Sequence, residues 1–550
     1  MSKHPSSKTN AEALPKLCGA DIELGNFIVG MERMGGTGYE ASRAVLAEIH
    51  GLPERQNGYL GSWWPAPSTS MRPTAGNRVA AYVPKSEWSY NAQDVSRRFL
   101  ASNGGCAYID LDHVELCLPE VLSAFDHAAA WHGMLRNTRA ALDRANKKQA
   151  AKHRIQVLVN NSDGQGNSYG SHLNFLIRRR TFDNLFWRKA HYLQFLASFQ
   201  VSSIVLTGQG KVGAENGRPA AAYQLSQRAD FCDTLQGVQT TYNRPIVNSR
   251  DETLCGKGGT FDPNAPARLH VIFFDSALAH GSCVLRVGPM QLILTLIEKG
   301  LVNSRLILDD PLAAVQSYSH DPTLQARAEL ISGECMSALE MQCAYLDEVK
   351  RYAARGVFEG IVPHSEEIIQ LWEDTVIKLA KDDWMSVAPR LDWVMKLMAI
   401  ERAMEQNPAL DWASPEVKVI DQMYSSLDAV GLYWAYEASG MAEQLIAPER
   451  IAHFTANPPA DTRAWTRAML LRRAAPESVV SVDWNTITFK LRGRYSWPSH
   501  RTLDMANPLG CTQAEAQHIF DSSLDFADLL DALESVSDRR AHPAIALQTT

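Results

Sequence analysis

Two short runs alternate acidic and apolar residues with a period of two: Cys18-Gly-Ala-Asp-Ile-Glu-Leu-Gly-Asn-Phe-Ile-Val and Asn103-Gly-Gly-Cys-Ala-Tyr-Ile-Asp-Leu-Asp-His. Residues two apart on a strand point to the same side of a sheet. Asp21 and Glu23 therefore share one face while Ile22 and Leu24 enter a core, and Tyr108, Asp110 and Asp112 share a face of the second run. Glu115 and Glu120 follow within a few residues. Parallel carboxylates repel each other, and a half-buried face tolerates several only where cations neutralise them. Oxygen-rich sites of this kind suit Mg²⁺, often together with nucleotide phosphates. A solvated sheet face produces the same alternation. Either run alone favours that plainer explanation; the two together shift the balance toward a site.

Polar elements that would complete such a site follow in order. Ile155-Gln-Val-Leu-Val reads as a third strand and runs into Asn160-Asn-Ser-Asp-Gly-Gln-Gly-Asn-Ser-Tyr-Gly, a loop whose backbone N–H groups could cradle phosphate oxygens. It lacks the Gly-Lys-Thr/Ser ending of a Walker A loop. His172-Leu-Asn-Phe-Leu-Ile is a fourth strand, with His172 and Asn174 on one face and Leu173 on the other. Arg228, Arg244, Arg250 and Arg268 are spread over a later region. Guanidinium groups suit two-point recognition of phosphate and carboxylate, but four scattered arginines are equally consistent with ordinary surface residues.

The remaining chain bounds the fold. A helix is expected from Gly38 to His50 and another from Pro119 to about Asn146. Residues 51–80, with Trp63-Trp64 inside, read as a flexible insertion loop. Further strands are expected at Ser203–Leu206, Ala222–Leu225 and His270–Phe274, then helices at Gln291–Lys299, Thr323–Arg355, Ser365–Lys381 and Leu391–Glu405. A break near Ser439-Gly440 separates a small C-terminal unit, 439–550, from a catalytic domain over 18–438. Residues 1–17 read as a disordered lead-in without a signal-peptide core. The class is α+β: a mostly antiparallel sheet with acids on one face, flanked by helices. At 550 residues and 45% hydrophobic, the chain can bury a large core. The net charge of −7, with only short clusters such as Arg178-Arg179-Arg180, argues against a nucleic-acid surface. No uninterrupted apolar run reaches the length of a membrane span. Nine cysteines without a CxxC pair suit reduced thiols in the cytoplasm rather than disulfides or zinc.

Taken together these segments resemble the Pup ligase and Pup deamidase/depupylase family. Gly19-Ala-Asp-Ile-Glu-Leu-Gly is similar to the family's opening Gly-Thr-Glu-x-Glu-Tyr/Phe-Gly strand, and Asn103 to Glu120 to its Asn-Gly-Ala-Arg-Leu-Tyr-x-Asp…His-Pro-Glu-Tyr…Pro-Glu. Asn160 to Leu176, Gln224-Leu-Ser-Gln-Arg, Thr240 to Glu252, Arg268-Leu-His and Asn457-Pro-Pro-Ala-Asp-Thr-Arg-Ala match in order. The resemblance implies a glutamine-synthetase-like fold that binds ATP with Mg²⁺. It implies Asp21, Glu23, Tyr108, Glu115, His172 and His270 at the metal site, Arg228, Arg244, Arg250 and Arg268 at the nucleotide phosphates, Trp484 at adenine, and Asp110 as catalytic aspartate. The partner it implies is a small Pup-like protein modifier and its conjugates, in a proteasome-like protease system.

The deamidase branch carries an insertion between the first strand and the Asn-Gly strand, and a long segment separates Gly25 from Asn103 here. That places the chain nearer the deamidase/depupylase branch, with isopeptide ligation, small-molecule carboxylate–amine ligation and a silent nucleotide-binding adaptor as alternatives. Three departures stand out: Asp21 replaces a Glu, the His-Glu-Asn triplet is His172-Leu173-Asn174, and Asp-Glu-Pro-His is Asp251-Glu252-Thr-Leu. Alternation predicts that Leu173 faces away from the cleft.

Overall fold

A computed structural model describes residues 13–32, 36–49, 97–252, 254–255, 262–475, 478–491, 499–522 and 524–537. The loop expected at 51–80 and residues 1–12 of the expected lead-in lie outside the described residues. The end of that lead-in is firmly docked. Lys16 is fully buried, donates to Leu14 O at 2.7 Å and pairs with Glu298, so ordered chain begins before Cys18. A buried ammonium is tolerated only with such a partner.

The central sheet is built from β1 (Cys18–Ile28), β2 (Arg98–Phe99), β3 (Cys106–Asp110), β4 (His113–Cys117), β5 (Ile155–Leu158), β6 (Ser171–Arg178) and a later strand. Before that strand come the short β7 (Lys211–Val212) and β8 (Tyr223–Gln224), and the parallel pair β9 (Cys232–Gly237) and β10 (Arg244–Asn248). The last sheet strand is β11 (Pro266–Val271), giving the order β11-β6-β1-β4-β3-β2 with β5 also paired to β1. Every pairing in this sheet is antiparallel. The apolar half of each alternating strand, including Ile22, Leu24, Val114, Leu116 and Leu173, is buried in the main core.

Helices cover that apolar face. These are α1 (Thr37–Glu48), α2 (Ala124–Lys147) and α3 (His280–Glu298). Ser123 caps α2 by accepting from the Phe125 and Asp126 amides at 3.1 and 3.4 Å. Helix α3 is apolar and long enough to cross a membrane, but it is wholly buried and serves as a core helix. Its one arginine, Arg286, donates to Ser171 Oγ and Asp275 O, both at 2.8 Å, and so ties the helix to the start of β6.

Four expected elements differ: the helix expected at Gln291–Lys299 begins at His280, the strand expected at His270–Phe274 runs Pro266–Val271, and two more differ further. Ser203–Leu206, expected as a strand, lies at a helical turn, Ile204–Thr207, because a four-residue apolar run carries no period of its own. The helix expected over Thr323–Arg355 begins only at Ala338, where Ser337 and Glu340 form a capping box. A small hairpin, β12 (Arg327–Glu329) with β13 (Cys335–Ser337), precedes it.

Ile446, Ile451 and Phe454, around α4 (Pro448–Ala456), pack in the main core. A second core forms from Trp465 onward, on α5 (Ala464–Arg473), the sheet β14 (Val479–Val482), β15 (Thr486–Leu491) and β16 (Ser499–Asp504), α6 (Gln513–Asp521) and α7 (Phe526–Ser537). Packing therefore changes over between Phe454 and Trp465, downstream of the break expected at Ser439-Gly440.

Candidate active site

Cross-strand register decides which acids meet. Glu23 lies opposite Glu115, which in turn lies opposite Tyr108; Asp21 lies opposite His172; His270 lies opposite Asn174. One sheet face thus gathers two groups. Carboxylate oxygens of Glu23, Asp110 and Glu115 lie within 4.8 Å of one another, as do ligand atoms of Asp21, His172 and His270. Both groups line one cleft of about 1560 Å³ with Tyr108, Arg244, Arg250, Arg268 and Trp484.

The electrostatics of the two groups are opposite. Burial pushes the Asp21 carboxyl up, but the hydrogen bond and charge of His172, with His270 and Arg268 nearby, outweigh it and hold it well below the usual range. Its Oδ2 takes the His172 Nδ1 contact at 3.0 Å and its Oδ1 accepts from Asn174 Nδ2 at 2.5 Å. Glu115 is driven well above the carboxylate range by burial and by the charges of Asp21 and Glu23. Three acids this close are what a divalent cation would reconcile.

The imidazoles suit the same ligand. His270 is 4% exposed, neither ring nitrogen has a hydrogen-bond partner, and burial and the neighbouring His172 hold it neutral. His172 spends Nδ1 on Asp21, leaving Nε2 for a metal, the usual division in which a carboxylate orients a ligating histidine. Gly170 makes room for this: a Cβ there would stand 2.4 Å from His172 Nε2 and 2.8 Å from Glu23 Oε1.

Tyr108 and Arg228 sit differently. Burial, then the acidic groups Cys117 and Glu115, raise the Tyr108 phenol far above its ordinary value, and its side chain lines the cleft opposite Glu115. Arg97 covers its ring at 4.7 Å. Arg228 does not line the cleft. Its buried guanidinium donates to Tyr169 O at 2.5 Å and Ser168 Oγ at 3.3 Å, bracing the polar loop from behind.

The loop itself uses its amides internally. Gln165 and Asn167 N–H donate to Asp163 Oδ1, Gly166 N–H to Glu215 Oε1, and Gly164 N–H to Ser162 Oγ. It is a shaped wall rather than the amide cradle expected from its glycines. Three arginines do converge on the cleft. Arg244 is anchored to Ser168 O and Thr240 O at 2.6 and 2.8 Å. Arg268 donates to Asn174 Oδ1 at 2.8 Å and Glu252 Oε2 at 2.6 Å, and Arg250 pairs with the same Glu252 at 3.4 Å.

Trp484 also lines the cleft, edge-on to Phe99 at 5.2 Å with the Arg467 guanidinium 4.9 Å over its ring. Arg463 and Arg467 both bind buried Glu120, and Arg463 reaches Leu254 O at 2.8 Å. The C-terminal unit therefore closes one wall of the cleft. Arg97, Arg463 and Glu252 were not read as site residues. Arg463 sits in the quoted Thr462-Arg463-Ala464 motif, the one signal that could have found it.

A third group, His132, His280 and Glu437, lies apart from the cleft with ligand atoms within 4.8 Å. His280 Nδ1 accepts the Ile446 N–H at 3.1 Å, so its Nε2 carries the proton and cannot ligate. It is a packed core cluster.

An antiparallel sheet with acids and imidazoles on one face, helices behind it and a small C-terminal unit closing the cleft defines a glutamine-synthetase-like fold. Two solved structures share it: the complex between the prokaryotic ubiquitin-like protein Pup and its ligase PafA, at TM-score 0.70 and 21% identity over 96% of this chain and 94% of that one, and PafA with ADP, at 0.64 and 23% over 80% and 90%. The family model described as Pup-ligase protein matches residues 41–488, and the chain belongs to that family. It is 33% identical to the Pup deamidase/depupylase of Mycolicibacterium smegmatis, covering 79% of this chain and 83% of the relative. It is 30% identical to the Pup–protein ligase of Acidimicrobium ferrooxidans, covering 78% and 90%.

Proposed function

We propose that the protein is an ATP- and Mg²⁺-dependent hydrolase of a side-chain amide or isopeptide bond on a Pup-like modifier. The observation that carries this reading is the convergence of Glu23, Asp110 and Glu115 on one point of a cleft whose other residues include His172, His270, Arg244, Arg250 and Arg268. Glu23 and Glu115 would hold magnesium in one group and His172 and His270 in the other, with Asp21, which completes the second group, also orienting His172. Arg244, Arg250 and Arg268 would hold the polyphosphate, and Trp484 the base. Bound together, ATP and magnesium supply a phosphoryl group and offset the charge that develops when a poor acyl donor is activated.

The chain's own residues do the rest. Asp110, at the end of β3, offers a carboxylate oxygen as nucleophile toward the amide carbon or as base for the water that attacks it. Arg250 and Arg268, held against Glu252, keep guanidinium groups ready for a substrate carboxylate or phosphate oxygen. The long Gly25–Asn103 separation supports hydrolysis over ligation. The likeness to named ligases supports a second reading, in which Asp110 takes a proton from a lysine amine attacking the activated acyl group. Nine free cysteines suit a reducing, cytoplasmic setting beside a proteasome-like protease.

The test incubates the protein with ATP, Mg²⁺ and either a Gln-ended Pup or a Pup conjugate. Release of ammonia or of the unmodified target without stoichiometric ATP consumption is expected, and Asp110→Asn should abolish it while nucleotide still binds. An Asp110→Asn variant as active as the parent would overturn the catalytic assignment. New isopeptide with net ATP hydrolysis would install the ligase reading.

A further inference from the structure

Asp110 ends β3, and the two-residue loop Leu111-Asp112 turns the chain into β4 at His113. Leu111 has φ +50°, a left-handed conformation in which its Cβ crowds the backbone and which glycine ordinarily adopts in tight hairpins. Leu111 is 69% exposed, so little packing of its own side chain holds it there. What holds the loop is the carbonyl of the next residue. Asp112 O accepts from Ser42 Oγ at 2.7 Å, reaching from α1, and from Asn26 Nδ2 at 3.0 Å, reaching from β1. The Asn26 amide also donates to Gly38 O at 2.7 Å and accepts from Val114 N at 3.3 Å. Ser42 and Asn26 are both buried. A residue in a sparsely populated conformation persists only where its surroundings over-determine it, and such strain gathers at functional sites.

We infer that Asn26 and Ser42 are positioning residues for Asp110. Their hydrogen bonds clamp the strained hairpin loop from beneath and hold the Asp110 carboxylate against Glu23 and Glu115. The inference rests on the reading of Asp110 as the reacting group. Ser42 lies off the cleft, and Asn26, which borders it, spends its amide donors on Gly38 O and Asp112 O, so loosening the clamp misdirects Asp110 more than it weakens binding. The effect falls on kcat and spares KM.

Ser42→Ala deletes one oxygen, and Asn26→Asp removes both donated bonds while keeping an acceptor for Val114. Each should lower kcat for cleavage of a Pup-modified protein about tenfold or more, because displacements near 1 Å in a reacting group have effects of that order. KM for the conjugate and affinity for a fluorescent ATP analogue should stay within about twofold, since those contacts are untouched. In a Leu111→Gly background the loop is unstrained, and Ser42→Ala should then lower kcat only about threefold or less, a non-additivity expected of coupled neighbours. A merely structural role would shift the melting temperature alike in both backgrounds and leave kcat alone. Wild-type kcat in Ser42→Ala and Asn26→Asp beside an inactive Asp110→Asn overturns this inference and leaves the proposed function standing. An active Asp110→Asn overturns both.

Discussion

Replacing Gly170 with alanine should disable metal use while leaving the fold intact. The added Cβ would stand 2.4 Å from His172 Nε2, 2.7 Å from His172 Cε1 and 2.8 Å from Glu23 Oε1. Non-bonded heavy atoms rest near about 3.5 Å, so the imidazole must move by about 1 Å. It cannot move freely: its Nδ1 is held by Asp21 at 3.0 Å, and Asp21 is held in turn by Asn174. Relief of the clash therefore breaks the Asp21 contact, swings Nε2 off its direction, or pushes Glu23 away from Glu115. Loss of a group that orients a ligating histidine lowers metal affinity about 10- to 100-fold. Gly170 does not take a left-handed φ, so an alanine there adds no backbone strain. The assay is a Mg²⁺ titration of ATP-dependent conjugate cleavage, paired with Mn²⁺ binding followed by paramagnetic resonance. The Mg²⁺ midpoint should rise about 10- to 100-fold with the melting temperature nearly unchanged. A Gly170→Ala protein with the parental Mg²⁺ midpoint would show that His172 and Glu23 do not bind metal together.

Glu120→Gln should loosen the C-terminal unit. Burial pushes the Glu120 carboxyl up, but the Arg467 and Arg463 guanidinium groups outweigh it and bring it down to about 2. Its folded pKa is thus depressed, so its contribution is present above the unfolded value near pH ~4.3 and is lost as pH falls toward 2; removing the charge should lower stability by about 3 kcal/mol, read by denaturant unfolding, and flatten the acid limb over that window. Leu173→Glu, which restores the family's triplet, should destabilise the protein by several kcal/mol rather than raise activity, because Leu173 is wholly buried in the core on the face away from the cleft. Gain of activity with an unchanged melting temperature would refute that placement.

Alternation alone put Asp21, Glu23, Tyr108, Asp110, His172 and Asn174 on the right face, because side-chain direction in a strand is local and has period two. What alternation cannot supply is register. That Glu23 faces Glu115, and Asp21 faces His172, depends on pairings between residues up to 151 positions apart. The same limit explains Arg228 and the Asn160–Gly170 loop. Their composition suits phosphate, yet Asp163 within the loop, Glu215 and the loop carbonyls satisfy them first, and the Glu215 and Arg228 contacts are set by tertiary packing. Short apolar runs failed for a related reason: Ile204–Thr207 carries no period that separates helix from strand.

Register also changes the meaning of Asp21, the residue where a longer acid is expected. Read as a direct ligand, a side chain shorter by one methylene weakens the site. In the structure both its oxygens are engaged, one by His172 and one by Asn174, and Asn174 in turn receives Arg268. A short acid on β1 meets partners on the adjacent strand β6 at hydrogen-bond distance. Asp21 thereby orients His172 and, through Asn174, links it to Arg268. Glu23 and Glu115 belong with Asp110 to one group of close ligand atoms, and His172 and His270 belong with Asp21 to the other. The departure at Asp21 thus keeps a carboxylate beside His172 and His270, bonded to the first.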